Sequence, residues 1–122
     1  MRVLVDTSLW IDHFHRANPG LQALLQSGRV WTHPVVIGEL AAGRLRQRDE
    51  ILLHLQKLPR GDEIDLAEGL HFLEMRRLFG RGLSWADVQL LAAASIDGLV
   101  VWTGDRALAT AAKELGLVYV AA

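Results

Sequence analysis

The first apolar run of the chain, Val3-Leu4-Val5, stops at Asp6-Thr7-Ser8, a pattern that predicts a short buried strand followed by a helix running through about His13. Asn18-Pro19-Gly20 breaks that helix, and LQALLQSG predicts a second, short one stopped at Gly28. RVWTH reads as another strand, and Pro34 opens a helix over PVVIGELAAGRLRQ, in a first turn where its missing N–H costs nothing. DEILLHLQKL is a further helix closed by Pro59, and RGDEID is a polar loop. In LAEGLHFLEMRRLFG, Leu66, Leu70, Leu73 and Leu78 recur at roughly helical spacing. SWADVQLLAAASIDG is the cleanest helix, with Ser84 as N-cap and Gly98 as its stop. The chain closes with a strand in LVVWT, a helix in DRALATAAKELG and a last strand in LVYVA.

Strands alternating with helices predict an α/β fold, with a mainly parallel central sheet between helices on both faces. In such sheets, sites form beyond the carboxyl ends of the strands, where Asp6 and Asp105 fall. A length of 122 residues predicts one domain spanning 1–122, and 51% hydrophobic with 22% charged residues is the composition of a folded chain. The absence of cysteine excludes disulfides and thiolate zinc sites, so any metal is held by oxygen or imidazole, and it agrees with a reducing cytoplasm. No signal peptide or membrane span is expected, because no apolar run approaches the roughly 18 residues a span needs. A net charge of -1 provides no global field for nucleic acid, so contact with RNA or DNA needs a local patch. All basic residues except Lys57 and Lys113 are arginines, which suit planar, bidentate contacts to phosphate or carboxylate.

The acids admit two readings. Asp6 and Asp105 each sit at a strand-to-helix junction where aspartate commonly caps a helix, and Ser84-x-x-Asp87 fits a capping box. Glu39 lies between Val35-Val36-Ile37 and Leu40-Ala41-Ala42, and a charge in such an apolar stretch needs a partner. If the four converge, their repulsion calls for a cation, and an oxygen donor set selects Mg²⁺ or Mn²⁺. Such a cluster binds phosphate oxygens through the metal and lowers the pKa of a bound water, which is the chemistry of phosphodiester hydrolysis.

VLVDTSLWI, VVIGELAAG, SWADVQLLAAA and VVWTGDRAL occur in the order and spacing of PIN-domain ribonucleases, and nearly the whole chain resembles a VapC-type toxin of a type II toxin-antitoxin pair. The resemblance implies a PIN-like three-layer α/β/α fold and a Mg²⁺- or Mn²⁺-dependent endoribonuclease, hydrolysing RNA by a metal-activated water. It further implies Asp6, Glu39, Asp87 and Asp105 as catalytic and metal-binding acids, with Ser8 of the Asp-Thr-Ser triplet supporting the metal or its water and Thr103 as a second supporting residue. A cognate antitoxin protein and a homodimer are the implied partners. Leu108 replaces a phenylalanine frequent in relatives, and Ala107 a further polar or acidic residue.

Around the acids, the histidines have no paired-ligand spacing, and the tryptophans read mainly as core, with Trp85 placed to wall the site. Arg44 and Arg48 are expected on one helical face, Arg76, Arg77 and Arg81 form a second cluster, and Arg106 is the candidate RNA contact. Leu9, Trp10, Phe14, Leu21, Leu24 and Leu25 either fill the core or leave a groove for the amphipathic helix of an antitoxin. The alternatives are a catalytically silent PIN-like binding module and a solitary RNA-processing nuclease. A phosphoacceptor receiver domain fits poorly, because Asp6 has no adjacent acid and Lys113 lies inside the last helix.

Overall fold

The computed structural model describes residues 1–121. Its central sheet contains β1 (Val3–Val5), β2 (Val30–Trp31) and β3 (Val100–Trp102) in the order β2-β1-β3, with both pairings parallel. Seven helices surround it: α1 (Thr7–His15), α2 (Pro19–Gln26), α3 (Pro34–Ala42), α4 (Arg48–Gln56), α5 (Leu66–Arg76), α6 (Trp85–Asp97) and α7 (Arg106–Glu114). The result is the three-layer α/β architecture. Parallel strands need helical crossovers, so each strand ends at the same edge of the sheet and its following helix starts there.

The central strand is fully apolar because both of its faces are covered: Val3, Leu4 and Val5 are each buried completely. Burying a side chain of this size contributes about 1.5–3 kcal/mol. Against β3 packs α6, whose residues from Asp87 to Ala94 are all buried, and the small side chains of Ala92, Ala93 and Ala94 let this helix approach closely. Because α6 leads into β3, it runs against the strand direction, and its N-terminal turn lies at the carboxyl edge of the sheet. Gln89, buried within α6, exchanges two hydrogen bonds of 2.9 Å with the backbone of Ile64, its Oε1 accepting from the N–H and its Nε2 donating to the carbonyl. This pairing fixes the segment that leads into α5.

Two expectations change. The helix over PVVIGELAAGRLRQ ends at Ala42, because Gly43 adopts an extended conformation with ψ of -174° and the chain restarts at Arg48. LVYVA is not a strand; Val118 makes an isolated parallel bridge to Val101, so the sheet has three strands among the described residues. The leucine series predicts a helix and α5 is that helix, with uneven burial: Leu66 and Leu70 are 65% and 51% exposed, Leu73 and Leu78 pack in or against the core, and the buried residue of α5 is Gly69. The reason is the ring of Trp85, which takes the space a side chain at 69 would fill.

A Cβ added at Gly69 would lie 2.1 Å from the Trp85 ring, far inside contact distance. Gly69→Ala is therefore expected to destabilise the protein by about 1–3 kcal/mol in chemical denaturation. Combining it with Trp85→Ala is expected to remove most of that increment, since the atoms that clash are gone; an unchanged increment in the double variant would refute the packing assignment.

Candidate active site

The carboxyl edge of the sheet collects residues from four segments. Asp6 follows β1 directly and is only 8% exposed. Its Oδ1 accepts the Thr7 N–H at 2.7 Å, so Asp6 itself caps α1, and its Oδ2 accepts the Thr103 hydroxyl at 2.7 Å. Thr103 Oγ1 in turn accepts the Asp105 N–H at 2.9 Å. The Thr7 hydroxyl donates to Glu39 Oε1 at 2.9 Å. A continuous chain of contacts thus runs from Glu39 on α3 through Thr7 and Asp6 to Thr103 and Asp105 beyond β3.

Helix capping supplies the remaining order. Ser84 and Asp87 form the expected capping box: Ser84 Oγ accepts the Asp87 N–H at 3.1 Å, and Asp87 Oδ2 accepts the Ser84 N–H at 3.0 Å. Asp105 Oδ1 accepts the Ala107 N–H at 2.9 Å and caps α7. These positions share a physical logic, since the positive end of a helix favours a carboxylate at its first turn. The capping and site readings of the acids therefore coincide in the same side chains.

Burial raises the pKa of Asp6 above the ordinary carboxylate value, opposed by the Thr103 hydroxyl and the Thr7 N–H and reinforced by the Glu39 and Asp105 charges. Asp87 is raised in the same way: burial is the largest cause, the Ser84 contacts oppose it, and the charges of Asp105 and Asp6 add to it. Mutual repulsion of this kind places Asp6 and Asp87 within electrostatic reach of Asp105, and Glu39 within reach of Asp6.

The donors fit a hard divalent cation in their chemistry, being all carboxylate oxygen. Among the described residues, no three acidic or imidazole groups close on one point as a ready coordination sphere. Their hydrogen bonds account for this: Glu39, Asp87 and Asp105 each have one oxygen turned to a hydroxyl or backbone N–H. The other oxygen of each remains available. Mg²⁺ keeps several waters and needs only one or two direct carboxylates, so this spread donor set suits it.

Other expectations change in the folded chain. Glu39 is solvent-exposed, and its position inside an apolar stretch reflects a helix that buries Val36 and Leu40 while Glu39 flanks them. Ser8 Oγ accepts the Gly104 N–H at 3.1 Å and so holds the β3–α7 loop. Arg44 and Arg48 do not share a helix, because α3 has ended before one and α4 begins at the other. The arginine cluster before Asp87 disperses: Arg76 lies over the Phe72 ring, Arg77 adopts the left-handed conformation that ends α5, and Arg81 pairs with Glu114. Arg106 is exposed beside Asp105. Trp85 is 42% exposed at the start of α6, next to the site, whereas Trp10 is buried. Among the histidines, buried His33 caps α3 by accepting the Val35 N–H at 3.1 Å, and burial lowers its pKa.

Two residues escaped the sequence reading. The role of Thr7 in holding Glu39 is invisible in a linear pattern, although a hydroxyl directly after an N-cap aspartate is a usable signal. Gln89 gave one sign only, an amide in an otherwise apolar helix.

Residues 3–114 match the family model described as PIN domain. The chain is 40% identical over 116 residues to Ribonuclease VapC32 of Mycobacterium tuberculosis, in both strain CDC 1551 / Oshkosh and strain H37Rv, covering 94% of this chain and 94% of each relative. Among solved structures it is similar to PAE2754 from Pyrobaculum aerophilum, with a TM-score of 0.61 and 20% identity, covering 91% of this chain and 79% of the other. That last likeness is one of fold.

The raised pKa of Asp6 has a defined consequence for stability. Between its unfolded value near 3.8 and its raised folded value, the native state binds more protons, so its contribution to stability is greatest at low pH and is lost as pH rises through the folded pKa. Asp6→Asn keeps a capping side chain without the charge. In chelator at pH 7 it is expected to raise Tm by a few degrees, the size of about 1 kcal/mol of relieved repulsion and desolvation. The difference from wild type should shrink toward pH 4; a gain that is absent at pH 7, or constant with pH, would contradict the electrostatic assignment.

Proposed function

The chain belongs to the PIN-domain family, in its VapC branch, and from that premise we propose that it is a Mg²⁺- or Mn²⁺-dependent endoribonuclease acting as the toxin of a type II toxin-antitoxin pair. The observation that carries this reading is the gathering of Asp6, Glu39, Asp87 and Asp105 at one edge of the sheet, two of them with raised pKa values. The likeness over 94% of the chain to a protein named as a ribonuclease supports RNA as the substrate. Asp6, Glu39, Asp87 and Asp105 are the catalytic and metal-binding residues, and residues 1–122 form one PIN domain.

When bound, the divalent cation supplies charge compensation for the phosphodiester and a water nucleophilic at neutral pH. Asp6 stands at the centre of the donor set, oriented by Thr103 and by the start of α1. Thr7 orients Glu39, and Ser8 supports the arrangement by holding the loop that carries Asp105. One of the carboxylates takes the proton released as water attacks phosphorus in line. Arg106, exposed beside Asp105, contacts the RNA backbone.

The partners follow the same reading. A cavity of 240 Å³ lined by Trp10, Phe14, Leu25, Ile51, Leu55 and Leu58 supports docking of an apolar antitoxin segment, while Leu9 and Leu21 belong to the core. The exposed leucines and Met75 of α5 support a homodimer. No described helix is long and apolar enough to cross a membrane. A toxin that cuts cellular RNA meets its substrate in the cytoplasm, and that is where the protein acts under this reading.

Purified protein is expected to cleave structured RNA with Mg²⁺ or Mn²⁺ and to stop in EDTA. Asp6→Asn should lower the rate by at least about 100-fold, and Thr103→Val, which removes only a supporting hydroxyl, by about 10–100-fold. Cleavage that needs no metal, or full activity in Asp6→Asn, would sink the mechanism. Expression of the chain alone is expected to arrest growth, whereas Asp87→Asn expressed at the same level does not. Equal toxicity of the two would point away from nuclease action, and harmless expression of an active nuclease would favour a solitary RNA-processing role.

A further inference from the structure

On the far side of Asp105 from the sheet, the structure holds a second polar feature. An open cavity of 620 Å³ is lined by Arg81, Asp105, Arg106, Ala107 and Thr110. Its volume lies within the roughly 300–1,000 Å³ typical of ligand sites. Two elements distant in sequence build it: the turn between α5 and α6, which contributes Arg81, and α7, which contributes the rest.

The turn is held in one shape by its glycines. Gly80 and Gly82, on either side of Arg81, have φ of 70° and 75°, a region that side-chain-bearing residues avoid. A Cβ at Gly82 would lie 3.9 Å from that of Ala107, so the turn lies close to the first turn of α7. On α7 itself, Arg106, Thr110 and Glu114 follow one another at i, i+4 spacing and form one polar ridge along the helix. Glu114 Oε2 receives Arg81 Nη2 at 2.7 Å, which anchors the guanidinium over the far end of that ridge. This ion pair uses one of the five guanidinium donors and leaves others for a second acceptor.

Resting on the ribonuclease reading above, we propose that Arg81 and Arg106, with the Thr110 hydroxyl, form a subsite for a phosphodiester group of the RNA strand, one or more nucleotides from the bond that is cut. Planar guanidinium groups are suited to phosphate oxygens, and Arg81 and Arg106, from two elements, line one open cavity that Asp105 borders. The helix N-terminus is not the anion receptor, because Asp105 already takes the Ala107 N–H. Recognition therefore falls to the two arginines. Glu114 pairs with one edge of the Arg81 guanidinium and is not itself part of the subsite.

The test uses the full chain carrying Asp6→Asn, which blocks cleavage, and a labelled single-stranded RNA of about 12 nucleotides. Fluorescence anisotropy across a salt series gives affinity and its salt slope. Adding Arg81→Gln or Arg106→Gln is expected to weaken binding about 5–20-fold and to reduce the slope by about 0.7 for each phosphate that is no longer neutralised. Glu114→Gln should stay within about 3-fold of the parent, because the phosphate-binding group remains. Arginine variants that bind like the parent overturn the subsite. So does a loss in Glu114→Gln equal to that in Arg81→Gln, which would make the pair a structural anchor only. Thermal melts by circular dichroism identify a variant that fails to fold; if Arg81→Gln is one, Arg106→Gln carries the same expectation. A parent that does not bind RNA, together with wild type that does not cleave it, would defeat the ribonuclease reading itself, a result distinct from variants that match a binding parent.

Discussion

Asp6 sits at the end of the central strand with both carboxylate oxygens engaged, one by the Thr7 N–H and the other by a hydroxyl 97 residues away in sequence, and the organisation of the whole edge depends on that seat. A buried carboxylate is costly unless it is hydrogen-bonded. The partners that offset this cost also impose geometry. The contact with Thr103 requires β1 and β3 to lie parallel and in register, and the Asp6 N–H donating to the Trp102 carbonyl at 2.9 Å extends the same ladder one residue past the strand. Ser8 then secures Gly104, so the loop carrying Asp105 is held at two points on either side of Asp6. Displacing Asp6 would loosen the strand pairing and the loop together.

The site is built largely from helix beginnings. Asp6, Asp87 and Asp105 each place an oxygen on a backbone N–H at a helix start, and the field of each helix helps the carboxylate bear its charge. This arrangement lets the fold hold Asp6 and Asp87 as buried carboxyls of raised proton affinity without unfolding. It also limits how they meet a cation, because an oxygen committed to a cap is less free to coordinate. Glu39 differs from the others in that it caps no helix: a threonine hydroxyl alone steadies it.

Attraction and chemistry are separated on this surface. The acids occupy the sheet edge, while guanidinium groups stand beside them on the α5–α6 turn and the first turn of α7. The packing of Trp85 over Gly69 belongs to the same design, since it fixes the start of α6, where Ser84 and Asp87 lie, against α5.

The sequence by itself determined the order of elements and most of their ends, because these follow from local rules: a β-branched run becomes the buried strand at Val3–Val5, and Ser84 and Gly98 bound α6 through capping and a left-handed stop. It also marked each acid, since the capping positions of Asp6, Asp87 and Asp105 and the motif around Glu39 are local patterns. Where it misled, the deciding contact was non-local. Leu66 and Leu70 of α5 are exposed, and its buried residue is Gly69, which the ring of Trp85 from another helix covers. LVYVA misses strand status because only Val118 meets Val101 in a bridge. Which oxygen of Asp6 meets Thr103, which hydroxyl holds Glu39 and which carboxylate restrains Arg81 were settled only when parallel pairing brought residues from opposite ends of the chain to one edge. A linear pattern records what each residue prefers, whereas hydrogen bonds and ion pairs between distant segments depend on distances that only packing sets.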